Sequence, residues 1–147
     1  MDNPGYYSLG AFTLTTAGTY GHDVGEELTG LAGMLSATVR LKFNYGSGGT
    51  SGKVYLQTSL DQANEGGVPG GSKIDIACMT FATANKEVVL NFSALTPKIS
   101  AVTPTDGALT DDTALDGVLG DRLSLKIVTT GSAYAGSTQI VGSVVVR

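Results

Sequence analysis

Catalysis and metal binding need particular side chains, and the chain has one histidine, His22, with Asp23, Glu26 and Glu27 close by. Such a cluster suggests a metal site or acid-base chemistry. Zinc, however, takes most of its ligands from histidine and thiolate, and beyond His22 the chain offers only Cys78. A serine nucleophile is no better supported, since no Gly-x-Ser-x-Gly elbow is present to set a hydroxyl against His22. His22 is therefore expected as an exposed loop residue and Cys78 as a small buried hydrophobe. A single thiol cannot close an internal disulfide, which fits synthesis in a reducing compartment.

Ser47-Gly48-Gly49-Thr50-Ser51-Gly52-Lys53-Val54 has the glycine content of a phosphate loop. Serine nevertheless stands where the first glycine is needed, and valine follows Lys53 in place of a hydroxyl residue. The stretch also leads into a strand, whereas a phosphate cradle requires a helix N-terminus. Residues 105–121 hold five aspartates and no lysine or arginine. Carboxylate oxygens suit calcium, yet the spacing is not that of an EF-hand loop, and Asx turns or a helix cap account equally well for aspartate before glycine. Asn91-Phe92-Ser93 has the form of a glycosylation acceptor, but alternation turns Phe92 towards the core, so the match reads as chance. The single histidine and cysteine leave only carboxylate chemistry, and no carboxylates are paired in a cleft pattern. Hence neither an enzyme nor a cofactor or metal site is expected.

The elements that carry these residues read as strands. Over residues 34–45, Leu35, Ala37, Val39, Leu41, Phe43 and Tyr45 alternate with Ser36, Thr38, Arg40, Lys42 and Asn44, the period of a half-buried strand. Val54, Leu56, Thr58 and Leu60 resume the alternation after the glycine-rich residues 46–52, so the two runs are expected as an antiparallel hairpin with a long loop. Further strands are expected at residues 9–16, 74–81 (with Ile74, Ile76 and Cys78 on one face), 87–95 and 122–127. A short one fits residues 99–103 between Pro97 and Pro104, and a valine-rich one, buried on both faces, fits residues 139–147. Only residues 24–35 and 111–119 have room for a helical turn. About eight strands without intervening helices define an all-β antiparallel sandwich, jelly-roll-like or immunoglobulin-like.

Composition agrees. The 147 residues suffice for one domain with its own core, 41% are hydrophobic, and only 15% are charged, against the usual quarter. Twenty-one glycines without a collagen period indicate many turns. The net charge of −4, with lysines and arginines scattered singly, argues against nucleic-acid binding. No run approaches 18 apolar residues and the first residues lack a signal-peptide pattern, so no membrane association and no export by that route are expected. Tryptophan is absent, which turns the six tyrosines towards core and interface roles more than sugar stacking.

Lys53-Val54-Tyr55-Leu56-Gln57-Thr58-Ser59-Leu60-Asp61, Ile74-Asp75-Ile76-Ala77 with Phe81, and Leu115-Asp116-Gly117-Val118-Leu119-Gly120-Asp121-Arg122 followed by Thr130-Gly131-Ser132-Ala133-Tyr134-Ala135-Gly136-Ser137-Thr138 resemble stretches of small virion proteins encoded among the head genes of tailed bacteriophages. Lys73 stands where similar sequences carry tryptophan. The resemblance implies a capsid-decorating, or cement, protein with a jelly-roll fold and no cofactor. It would form a homodimer or homotrimer over joints between major capsid protein subunits on the outside of the virion, after synthesis in the bacterial host cytoplasm. A tail or fibre module binding a host surface glycan is the alternative.

On that reading residues 1–7 form an extended N-terminal arm and residues 8–147 a single sandwich domain. The expected contacts are Asn3, Pro4, Tyr6 and Tyr7 in the arm, Gly48 and Gly49, Val68 and Pro69, and Asp111 and Asp112. An arm of this kind orders on contact, and deleting residues 2–7 is expected to weaken attachment without harming the fold.

Overall fold

A computed structural model describes residues 4–21, 27–60 and 72–147 of the chain. The alternation over residues 34–45 produces the strand it dictates: in β3 (Ser36–Asn44) Ala37, Val39, Leu41 and Phe43 are fully buried while the residues between them face out. The same logic builds β1 (Gly5–Thr13), β2 (Gly18–Gly21), β5 (Ser51–Ser59), β6 (Ile74–Phe81), β7 (Lys86–Ser93), β8 (Arg122–Thr130) and β10 (Gln139–Val146), with two-residue strands β4 (Ser47–Gly48) and β9 (Tyr134–Ala135). Among the described residues there is no helix.

All pairings are antiparallel, and they assemble two four-stranded sheets. The first has the order β1-β10-β3-β7 and the second β2-β8-β5-β6, while β4 and β9 form a small ribbon apart. The inner faces share one core, in which Leu9, Val39, Leu41, Ile140 and Val144 of the first sheet meet Val54, Leu56, Met79, Leu125 and Ile127 of the second. Each such side chain contributes about 1.5–3 kcal/mol relative to exposure. Gly142 leaves room for Leu125 of the facing sheet, because a Cβ there would lie 2.7 Å from Leu125 Cδ1 and 3.0 Å from Leu9 Cβ.

The expected sandwich is thus present, and five local expectations are corrected. β3 and β5 do not form a hairpin: β3 pairs with β10 and β7, β5 with β6 and β8, and the glycine-rich stretch carries the chain from one sheet to the other. Alternation tells that a strand has one buried face; it does not tell which neighbour it pairs with. The last strand alternates cleanly instead of being buried on both faces. Residues 111–119 hold no helix, since Asp112 (φ 52°) and Gly117 (φ 80°) adopt left-handed turns, and residues 99–103 are not a strand. Finally, Cys78 does not share the core face, because Leu56 faces Ala77 and Gln57 faces Asp75, which leaves Ile76 as the extra residue of a bulge. The bulge brings Asp75 and Cys78 to the outer side of the second sheet.

Candidate functional site

The two sheets differ in what covers their outer faces. Tyr55, Gln57, Asp75, Cys78 and Ser124 lie on the outer side of the second sheet yet are buried, because residues 105–121 lie across them as a strap. Main-chain bonds tie this strap to the free edge of β6: Cys78 N donates to Thr113 O (2.9 Å), Leu115 N to Ile76 O (2.7 Å) and Asp75 N to Thr105 O (2.8 Å). The anchor is the Asp75 carboxylate, 1% exposed. Its Oδ2 accepts from Thr105 Oγ1 (2.8 Å) and from the N–H groups of Gly107 (2.8 Å), Ala108 (2.9 Å) and Leu109 (3.2 Å), and its Oδ1 from Gln57 Nε2 (2.8 Å). A buried carboxylate is tolerable only when its lone pairs are satisfied in this way.

Three lysines clasp the strap from outside. Lys126 Nζ donates to Asp106 Oδ1 (2.8 Å), Lys86 Nζ to Asp112 Oδ1 (2.9 Å) and Lys53 Nζ to Asp111 Oδ1. Asp112 also accepts from the Thr80 hydroxyl (2.6 Å) and N–H (3.0 Å), and these bonds, with Lys86, hold its carboxyl down at about 2. Burial pushes Asp106 up, but Lys126 and Gln57 outweigh it and leave the group below the usual carboxylate range. Asp116 is lowered chiefly by the Ser93 N–H. Asp111 and Asp112 are thus half-exposed but committed to the chain's own lysines. Among the described residues no three His, Cys, Asp or Glu side chains converge as metal ligands. Burial raises the thiol of Cys78 above its ordinary value.

The glycine-rich stretch is a second clasp. Gly49 N donates to Ala133 O (2.8 Å), and Gly49 (φ +72°) lies on the Tyr134 ring so closely that a Cβ would fall 2.2 Å from Cδ1. Tyr134 in turn packs edge-on against Phe43 and donates its hydroxyl to Ala82 O (2.7 Å). Gly48 and Gly49 are therefore held by β9 instead of forming a free loop. At the other end, Glu27 accepts from Lys73 Nζ and from Arg122 Nη1 (3.1 Å) in a largely buried triad.

By contrast, no described segment covers the outer face of the first sheet. Tyr6 from β1, Val145 and Ser143 from β10, Thr38 and Arg40 from β3 and Val89 from β7 line a shallow depression of about 250 Å³ there. Tyr6 is 71% and Val89 62% exposed, and Arg40 is held flat by a two-pronged pair with Glu87 (2.7 and 3.1 Å). Among the described residues, Tyr6 is the one expected contact residue that lines this depression. Tyr7 alternates inward against the core, and Pro4 is exposed just before β1. Gly5, Tyr6 and Tyr7 are paired with Val146, Val145 and Val144, so the arm does not extend to residue 7, and deleting residues 2–7 would remove three rungs of a ladder. Asn3, Val68 and Pro69, like His22, Asp23 and Glu26, lie outside the described residues.

Tyr55, in the groove between strap and β5, is buried and offers no ring for sugar stacking. Arg40, Val89 and Val145 were not expected as site residues; the sequence signal for them was valine at outward positions of otherwise alternating strands. No family model, curated protein or solved structure matches the chain.

Proposed function

We propose that the chain is a structural virion protein that decorates and cements a bacteriophage capsid, binding major capsid protein subunits through the bare face of its first sheet. The observation that carries the reading is the asymmetry of the sandwich. One outer face is sealed by the chain's own strap, while the other presents Tyr6, Val89 and Val145 around a weakly charged depression, surface that can be buried against a partner without desolvating many charges. The strand orders β1-β10-β3-β7 and β2-β8-β5-β6 also fit two Greek keys wound as a jelly roll, an architecture used by viral capsid and lectin domains, and so support the resemblance of residues 53–138 to phage head-gene products. Repetition on a symmetric shell turns modest contacts into avidity. Quantifying the chain in purified particles tests the reading: a copy number comparable to that of the capsid protein is expected, and a few copies per particle would contradict it.

A further inference from the structure

A sheet edge is a row of unpaired main-chain groups, and folded proteins blunt it or use it. Among the described residues, three of the four edges here are blunted. The β6 edge is bonded to the strap at residues 105, 113 and 115. β1 carries a bulge between Ser8 and Gly10, with Gly10 N turned onto Ser8 Oγ. β2 has four residues. β7 is different: eight residues long, in unbroken register with β3 from Lys86 to Ser93.

Ala94 N donates inward to Leu35 O, while Ser93 N points outward and is capped by Asp116 Oδ1 (2.8 Å). By the antiparallel alternation the main-chain groups of Glu87, Val89 and Asn91 also point outward, and no described strand lies beyond them.

We propose that this edge pairs with the same edge of a second copy, antiparallel, about a two-fold axis at Val89. The inference deepens the self-association expected of a cement protein by naming its surface and choosing the dimer. Residues 87–91 read Glu-Val-Val-Leu-Asn, which is self-complementary when reversed. Glu87 faces Asn91 of the other copy, Val88 faces Leu90, and Val89 faces itself, with no like charges opposed. About six main-chain hydrogen bonds form, and the two first sheets become one continuous sheet. Val89, exposed in one chain, is then shielded by its own counterpart. An isologous contact of this kind closes on itself, so pairing stops at two copies.

Sedimentation of the full chain over a concentration series is the test, supported by cysteine cross-linking. The wild type is expected at the mass of two chains and Val89→Lys, which sets two ammonium groups face to face, at the mass of one, with an unchanged circular dichroism spectrum. Two residues 89 facing each other lie about 5.5 Å apart, within disulfide reach. Val89→Cys should therefore cross-link rapidly under mild oxidation, whereas Asn91→Cys, displaced from its counterpart by about 13 Å, should not. A monomeric or trimeric wild type, a Val89→Lys protein that remains dimeric, or equal cross-linking at 89 and 91 would each overturn the proposal. These readouts need no particle, so a failure of the capsid reading leaves them interpretable.

Discussion

Replacing Asp75 with alanine isolates what holds the strap down. The substitution removes the acceptor of five hydrogen bonds, from Thr105 Oγ1, Gly107 N, Ala108 N, Leu109 N and Gln57 Nε2. Leaving one donor of a charge-assisted bond unmet costs about 1.5–3 kcal/mol. The five do not add, because water reaches the donors once the strap lifts; a loss of about 3–5 kcal/mol, typical of removing one side of a buried ionic arrangement, is the consistent value. For a chain of this length that lowers the midpoint of thermal unfolding by roughly 10–15 °C. Cys78, beneath the strap and 4% exposed, reports the opening directly: with its cover about 3 kcal/mol less stable, labelling by a thiol reagent should speed up about 100-fold while the sandwich remains folded. Asp75→Asn, which keeps the shape and one acceptor, should fall between. A midpoint within about 3 °C of the wild type together with unchanged Cys78 labelling would refute the reasoning, since the strap would then be held by its lysine clasps and packing alone.

Glu27→Ala removes the carboxylate shared by Lys73 and Arg122 in a largely buried site, and chemical denaturation should show a loss of about 3 kcal/mol; Glu27→Gln should recover part of it. Acid should loosen the strap before the sandwich. Asp106, Asp112 and Asp116 are all depressed in the folded chain, so their contribution is complete above the ordinary carboxylate value, falls away below about pH 4 and disappears last at Asp112, near 2. Exchange of the Cys78 amide, bonded to Thr113 O, measured at pH 6 and pH 3 checks this; equal protection at both would be the contrary result. Gly49→Ala places a methyl group against the Tyr134 ring at a left-handed residue and should cost about 2–3 kcal/mol, read as a lowered unfolding midpoint.

How much of this was legible in the sequence depends on the residue asked about. Alternation in β3 and β8 declares a buried face, and a chain made of such runs has few options besides a sandwich. Pairing partners are not declared, which is why β3 and β5 read as a hairpin although they lie in opposite sheets. The strap was hidden because irregular segments leave no period. Its one visible trace was Asp75, a charge inside the apolar run Ile74-Asp75-Ile76, where a carboxylate must find donors from elsewhere. The aspartates of residues 105–121 looked like a free acidic surface because their partners, Lys53, Lys86 and Lys126, are scattered along three distant strands. Gly49 likewise reads as a flexible position until Tyr134 is seen lying against it.

The bare outer face of the first sheet is the surface proposed to meet the capsid. Binding of the purified chain to particles depleted of it, with wild type and Tyr6→Glu titrated side by side, tests this most directly. Tyr6 is exposed and alternates away from the core, so the substitution leaves the fold intact. Saturable wild-type binding at copy numbers comparable to the capsid protein, with Tyr6→Glu at least tenfold weaker, is the predicted result. No saturable binding, or equal binding by the two proteins, would contradict it.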